Sequence, residues 1–326
     1  MRRQLVVLIV LSILLACHKR ENQSTLPAAE HSNTENAACG CPDDFKDSRA
    51  FTTFMRYWPQ NEFQQIIAVD VKGQAVFEGD IVLGTTSNLR ALATAIQSLG
   101  GAATVNRMLL DRRNKALKAK KATPQDFDTT SSSLLQKIEG HRGSVQPWPG
   151  HRVAYDVTGI ADKFLRAEIA AAIKDWEHQT QLTFELRVNT DARFISFQPR
   201  SPDLDYCYWD GSVASVDFTC IRHEIGHALG LLHEHTRSDR DANIKIHTEN
   251  INRARCSLFT KNNIPGALCG SYDFASVMHY DPYAFTCNRQ VTIEARKPNT
   301  IHYDAFKISS GDYKAVNAID GVGRCN

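Results

Sequence analysis

Residues 223–233 read His-Glu-Ile-Gly-His-Ala-Leu-Gly-Leu-Leu-His, the pattern H-E-x-x-H-x-x-G-x-x-H. No other stretch constrains the fold of this chain as tightly. On a helix, His223 and His227 are four residues apart, so both rings leave one face and can share one metal. Glu224 lies one step round, placed to reach a water on the metal rather than the metal. Gly230 can adopt a left-handed backbone that stops the helix. The chain can then turn and bring in His233 as a third nitrogen ligand. Three protein ligands leave one position open, which separates a catalytic zinc site from a closed structural one.

The rest of the composition excludes more than it selects. The chain has 326 residues, 42% of them hydrophobic and 23% charged, which suits one or two globular domains. A net charge of +2 gives no basic footprint, and no nucleic-acid motif is present, so no nucleic-acid partner is expected.

The N-terminus reads as an export signal. Arg2 and Arg3 precede an apolar run over residues 5–15, too short to span a bilayer stably. The run ends in Leu14-Leu15-Ala16-Cys17, which resembles the bacterial lipobox, with Cys17 as the lipid-modified residue. The competing reading is an ordinary signal with an incidental cysteine. His18, not aspartate, follows Cys17; in a Gram-negative host this resembles signals for the outer membrane. The expectation is an exported chain, lipid-anchored to a bacterial membrane or cell surface. Without Cys17, eight cysteines remain, and an even count in an exported chain reads as disulfides. Six follow residue 200, which predicts a stapled C-terminal part. The short loops Cys207–Cys220 and Cys256–Cys269 are the expected bridges.

Hydrophobic periodicity divides the remainder. Residues 1–17 are the signal, and polar residues 18–38 read as a flexible tether. Residues 65–71 and 75–77 look like strands. Residues 87–121 read as one helix, with Leu89, Leu92, Ala93 and Ile96 on one face. Its second half is basic, from Arg107 to Lys121, and reads as a solvated face. A sharper alternative is an exposed processing region or a contact with anionic lipid. A Ser/Thr-rich stretch at 129–133 and a Gly/Pro-rich one at 140–150 mark a boundary, giving a segment 39–146 and a domain 147–326. In that domain, strands are expected over 152–157, 182–188 and 194–197. Helices are expected over 162–179, 215–229 (the metal-binding helix) and 308–319, the last with Asp312 in its first turn.

Two further motifs accompany the histidines. Glu234-His235-Thr236-Arg237-Ser238-Asp239-Arg240-Asp241 follows at once, and Ser276-Val277-Met278-His279-Tyr280 comes later. Together they resemble the astacin family of metzincin zinc endopeptidases, from about residue 148 to residue 325. The resemblance implies an α+β fold: a two-subdomain catalytic domain with a twisted mixed sheet and an active-site helix, preceded by a pro-segment. It implies one Zn2+ per chain on His223, His227 and His233, with Glu224 as general base for peptide hydrolysis. It makes Met278 an apolar floor below the metal, and Tyr280 a switchable metal ligand that turns to the oxyanion. Glu234 matches the glutamate that anchors the new N-terminus after activation.

Phe77-Glu78-Gly79-Asp80-Ile81 is similar to the F-x-G-D motif of the family's pro-segments. There the aspartate takes the water position on zinc, so Asp80 is the candidate latency ligand. A plain Gly-Asp turn with no metal role is the alternative. Cys39-Gly40-Cys41-Pro42-Asp43 offers a competing switch, similar to the cysteine switch of matrix metalloproteases, but Ala38 stands where that motif carries arginine. An oxidising compartment also favours disulfides at these thiols. The sequence departs from the family in three places. The stretch from Asp80 to Trp148 is long, so activation cleavage is sought at 137–142. Leu182 replaces a cysteine common in the family, which leaves Cys325 to another partner, Cys287 being the candidate. The Cys207–Cys220 loop is compressed. The implied function is a zinc endopeptidase held latent by its own pro-segment, acting on a protein or peptide substrate. A zinc-binding surface pseudoprotease and a different metzincin branch compete with it. Glu224 counts against the first and Tyr280 against the second.

Overall fold

A computed structural model describes residues 38–42, 45, 48–57, 62–118, 147–202, 206–262, 264, 269–296 and 298–325. The signal with Cys17, nearly all of the tether, and the linker with the expected cleavage region 137–142 lie outside these residues. So do the side chains of most of the basic run; Arg107 is described and exposed.

A nine-stranded mixed sheet organises the described residues, in the order β1-β2-β3-β4-β8-β9-β7-β5-β6. Strands β1 (Ala50–Tyr57), β2 (Glu62–Val71), β3 (Gln74–Phe77) and β4 (Ile81–Thr85) form an antiparallel meander. Two helices cover it, α1 (Thr86–Ser98) and α2 (Ala102–Lys118). Phe51, Phe54, Phe63, Leu89, Leu92, Ile96 and Val105 form their shared core. The sequence predicts one helix over 87–121; the chain instead breaks at Leu99-Gly100-Gly101. Two adjacent glycines disfavour a helix interior, and the break lets α2 fold back, where the Asn106 side chain bonds both Phe63 N and Phe63 O.

The second part holds β5 (Arg152–Asp156), α3 (Lys163–Gln179), β6 (Thr183–Leu186), β7 (Ile195–Pro199), β8 (Tyr208–Trp209) and β9 (Val213–Val216). Helices α4 (Ile221–Leu229) and α5 (Ser310–Ile319) follow, with a small β10–β11 ribbon (Ile244–Ile246, Ile293–Ala295) between them. Asp162 caps α3, its carboxylate accepting from Phe164 N and Leu165 N. Leu165, Ile169, Ile173 and Trp176 then bury one face against Val153, Ile195 and Phe197 of the sheet, as their helical spacing predicts. Each such side chain contributes about 1.5–3 kcal/mol by leaving water. Within the sheet, the two parts join through a parallel pairing of Ile81 with Trp209, where Trp209 N donates to Asp80 O at 2.9 Å.

The bridges are Cys39–Cys287, Cys41–Cys256, Cys207–Cys220 and Cys269–Cys325. Only Cys207–Cys220 agrees with expectation. Cys256–Cys269 and Cys287–Cys325 are corrected, because Cys39 and Cys41 reach across the fold to take two C-terminal partners. With both sulfurs oxidised, neither offers the thiolate that a cysteine switch requires.

Candidate metal centre and active site

Helix α4 is shorter than the predicted 215–229. Residues 215 and 216 end strand β9, and the Asp217 side chain then accepts from Thr219 N (2.8 Å) and Thr219 Oγ1 (2.6 Å). This local turn competes with helix, so α4 starts only after Cys220. Ile221, Ile225, Ala228 and Leu229 pack into the core, while His223, Glu224 and His227 emerge from the helix toward the site. Gly230 stops the helix at φ 108°, donating to Gly226 O and His227 O. The chain reverses and delivers His233, as its spacing predicts.

The three rings converge. His223 Nε2 lies 3.0 Å from His227 Nε2 and 3.1 Å from His233 Nε2. Each Nδ1 meets an acceptor: Val277 O at 2.8 Å, Leu231 O at 2.8 Å and Glu78 Oε2 at 3.2 Å. These contacts put the proton on Nδ1 and leave the Nε2 lone pairs facing one another. Three lone pairs so close repel unless a proton or a metal cation lies among them. Zinc at about 2.0–2.1 Å from each nitrogen, in tetrahedral geometry, would space them about 3.3 Å apart, so the set fits that ion.

Asp80 closes the cluster. Its Oδ2 is 3.1 Å from His233 Nε2 and 3.3 Å from His223 Nε2, and its Oδ1 is 3.3 Å from His227 Nε2. The four ligand atoms fall within 4.8 Å of one another. Asp80 Oδ1 is buried with no hydrogen-bond partner, as expected for an atom reserved for a metal. Burial pushes the Asp80 carboxyl up, but the charges of His233 and His227 and bonds from His223 and His227 outweigh it, holding the group well below the usual range. His233 shows the counterpart. Burial pushes it down, yet Asp80 and Glu78 raise it to about 10. Two buried carboxylates at one imidazole create a demand for positive charge that a divalent cation meets.

Glu224 is buried beside this group, its Oε2 without a partner. Burial first, then Asp80 and Asp217, raises its carboxyl well above the normal value. Tyr280 stacks on His235, the centroids 3.9 Å apart, and its hydroxyl donates to Glu78 O at 3.0 Å. Burial, Asp80 and Glu78 keep that phenol protonated. Met278 lies under α4. A Cβ on Gly226 would stand 2.5 Å from its Sδ, so only glycine admits the floor at this distance. Glu234 Oε1 accepts from Asp273 N at 2.6 Å and pairs with Arg237 Nη1 at 3.3 Å. Burial still raises it to about 8.

Three supports escape a reading of the motifs. Glu78 is the variable residue of F-x-G-D. Its Oε2 accepts from His233 N at 2.9 Å, and its Oε1 lies 2.5 Å from Thr236 Oγ1 and 2.6 Å from Asn262 Nδ2. Asp312 accepts from Ser276 Oγ (2.6 Å), Val277 N (2.9 Å) and Ser309 N (2.9 Å), fixing the turn whose Val277 carbonyl orients His223. Gly226 is an x position of the histidine motif. No pattern in the sequence marks Glu78 for burial or Gly226 for a close approach.

The sequence pattern of Astacin, a peptidase family, matches residues 141–319, more than half of the chain. The chain belongs to the astacin family. It is 30% identical over 185 residues to zinc metalloproteinase nas-13 of Caenorhabditis elegans, covering 53% of this chain and 40% of that protein. It is 35% identical over 150 residues to the low choriolytic enzyme of Oryzias latipes, covering 44% of this chain and 55% of that one. The chain thus spans about half, or less, of the length of these curated relatives. Among solved structures it is similar to high choriolytic enzyme 1, a hatching-enzyme zinc-protease of Oryzias latipes. The identity is 27%, with 54% of this chain and 93% of that one covered, at a TM-score of 0.45. Zinc is the metal of this family, and the astacin histidine set here fits it.

Proposed function

We propose that this chain is a zinc endopeptidase made in a latent form, with Asp80 standing where a water would otherwise be. The observation that carries the reading is the convergence of Asp80 with three Nε2 atoms on one point beside Glu224. His223, His227 and His233 would hold zinc, which when bound supplies Lewis acidity to the scissile carbonyl and to water. The chain's own groups do the rest. Glu224, a carboxylate whose proton affinity burial raises, accepts a proton from the attacking water and returns it to the leaving amine. Tyr280, once Glu78 O leaves, has a protonated hydroxyl free to donate to the tetrahedral oxyanion. Met278 and the α4 core exclude water from below.

Residues 39–146 act in this reading as the pro-segment, and 147–326 as the peptidase domain. Asp80 enters on a loop with Gly79 at φ 107°, where a side chain would meet Leu258 Cδ2 at 2.8 Å. Tyr57 Oη adds a bond to Gly230 O at 3.2 Å, next to the turn that delivers His233. Burial, with Asp273 and Asp312 nearby, holds the Glu234 carboxyl up at about 8, and an arriving positive amino terminus would stabilise its charged form. We also propose export and lipid anchoring at Cys17, from the lipobox-like residues. Among the described residues, no helix is long and apolar enough to cross a membrane.

The test is cleavage of casein or a generic peptide by the processed chain, with a chelator control and the Glu224→Gln variant. Zinc-dependent cleavage that Glu224→Gln loses while keeping zinc supports the reading. A variant that still proteolyses fully contradicts it.

A further inference from the structure

The described residues between 38 and 45 do not sit with the meander that follows them. They lie along the C-terminal part of the peptidase domain. Cys39 pairs with Asn252 as an isolated bridge, Gly40 N donates to Ile251 O at 3.0 Å, Cys41 N to Thr248 O at 3.1 Å, and Arg253 N to Ala38 O at 2.9 Å. Cys41 and Phe45 pack on Ile244, Ile251, Leu258 and Phe259, and Arg49 Nη2 donates to Ala254 O at 3.0 Å. Two disulfides lock this segment down: Cys39–Cys287, 248 residues apart in sequence, and Cys41–Cys256, 215 apart. Both enclose the whole linker between the pro-segment and the peptidase domain.

The connectivity has a chemical consequence. Hydrolysing one peptide bond in the linker consumes one water and creates one new amino terminus. It leaves both disulfides intact, so the two fragments remain one covalent molecule. A tethered inhibitor keeps an effective concentration of order millimolar at its site, and the Asp80 loop is joined to Cys41 by fewer than forty residues.

We propose that the pro-segment is a covalently retained inhibitor and that activation takes two cuts. The first, in the linker, frees the amino terminus of the peptidase domain. The second, between Cys41 and the Asp80 loop, frees the meander. The mature enzyme is then a two-chain molecule in which a short piece carrying Cys39 and Cys41 stays bridged to Cys287 and Cys256. This inference rests on the latent-peptidase reading for its effect on activity, but the tether itself stands on the bridges alone.

The experiment places a recognition sequence for a site-specific protease at 137–142 of the full chain and makes that single cut. On a non-reducing gel the cut protein should run as one species of the uncut chain's size, and after reduction as two. Peptidase activity should rise by less than about twofold, because the tethered loop rebinds. A limited second digestion that cuts after Cys41 should then raise activity by about 10²-fold, as an inhibitor held only by its own contacts departs. With Cys39, Cys41, Cys256 and Cys287 all changed to Ser, the single cut alone should release the meander and raise activity. If that variant does not fold, the wild-type gel still decides. Fragments that separate without reductant overturn the tether. A single cut that fully activates the bridged molecule overturns the two-cut requirement. Failure of the latency reading shows differently: the uncut wild-type chain would already be as active as uncut Asp80→Ala, whatever the gel shows.

Discussion

His233 sits between two carboxylates, Glu78 at its Nδ1 and Asp80 at its Nε2. The two divide the work. Asp80 occupies the open side of the histidine set, and Glu78 fixes the ring and ties the loop to Thr236 and Asn262. Truncating Glu78 strips the buried His233 N–H of its acceptor, at about 1–3 kcal/mol, and leaves Thr236 and Asn262 with only their bonds to His233 O and Thr236 Oγ1. Uncleaved Glu78→Ala should therefore leak peptidase activity, below the level of Asp80→Ala and above wild type; initial rates on a quenched peptide check this. A silent Glu78→Ala beside an active Asp80→Ala would reduce Glu78 to a packing residue. Tyr280→Phe in the processed enzyme removes one oxyanion donor, so kcat should fall about 10²-fold with KM little changed. An unchanged kcat would remove Tyr280 from the chemistry. The three histidines, Glu224 and Asp80 are legible in the sequence, because metal ligation demands fixed residue types at fixed spacing. Glu78 and Gly226 are not. One acts through a neighbour's ring and the other through space it leaves empty, and neither demand has a sequence pattern.

Helices α4 and α5 make the site a product of packing rather than of one motif. Ser309 caps α5 in a reciprocal box with Asp312, and Asp312 in turn holds Ser276 and Val277. Asp312→Ala strips an acceptor from three buried donors, so the unfolding free energy should drop by about 1–3 kcal/mol per unpaired donor, and zinc affinity should weaken through Val277 and His223. Thermal unfolding and a zinc-competition titration measure the two effects; a destabilised variant with unaltered zinc affinity would separate α5 from the metal. Gly226→Ala drives a Cβ to 2.5 Å from Met278 Sδ. Overpacking there should cost about 1–3 kcal/mol, and a Tm equal to wild type would contradict the close approach. The elements easiest to read from sequence are those with a long apolar period, α3 above all. Strand β1 escapes because its burial pattern is not alternating. Strands β8 and β9 are too short for a period, and α4 starts late because Asp217 caps a turn of its own.

On the scale of the whole molecule, the meander β1–β4 extends the peptidase sheet past its β8 edge and lays Asp80 on the histidines in doing so. Long-range pairing of this kind is invisible to local periodicity, as is the pairing of Cys39 and Cys41 with cysteines more than two hundred residues away. The bridges also bear on location. If Cys17 carries lipid, they keep the peptidase on the membrane after the linker cut and after the second, activating cut as well. Its activity should then sediment with membranes after cleavage and move to the soluble fraction only on reduction or when all four of these cysteines are Ser. The proposed latency requires that Asp80 alone closes the open position of an otherwise assembled site. Peptide hydrolysis by the uncleaved Asp80→Ala chain, measured beside uncleaved wild type and the double variant Asp80→Ala/Glu224→Gln, tests it most directly. Chelator-sensitive activity is expected in Asp80→Ala only, while an uncleaved Asp80→Ala chain that binds zinc and stays silent would overturn the role given to Asp80.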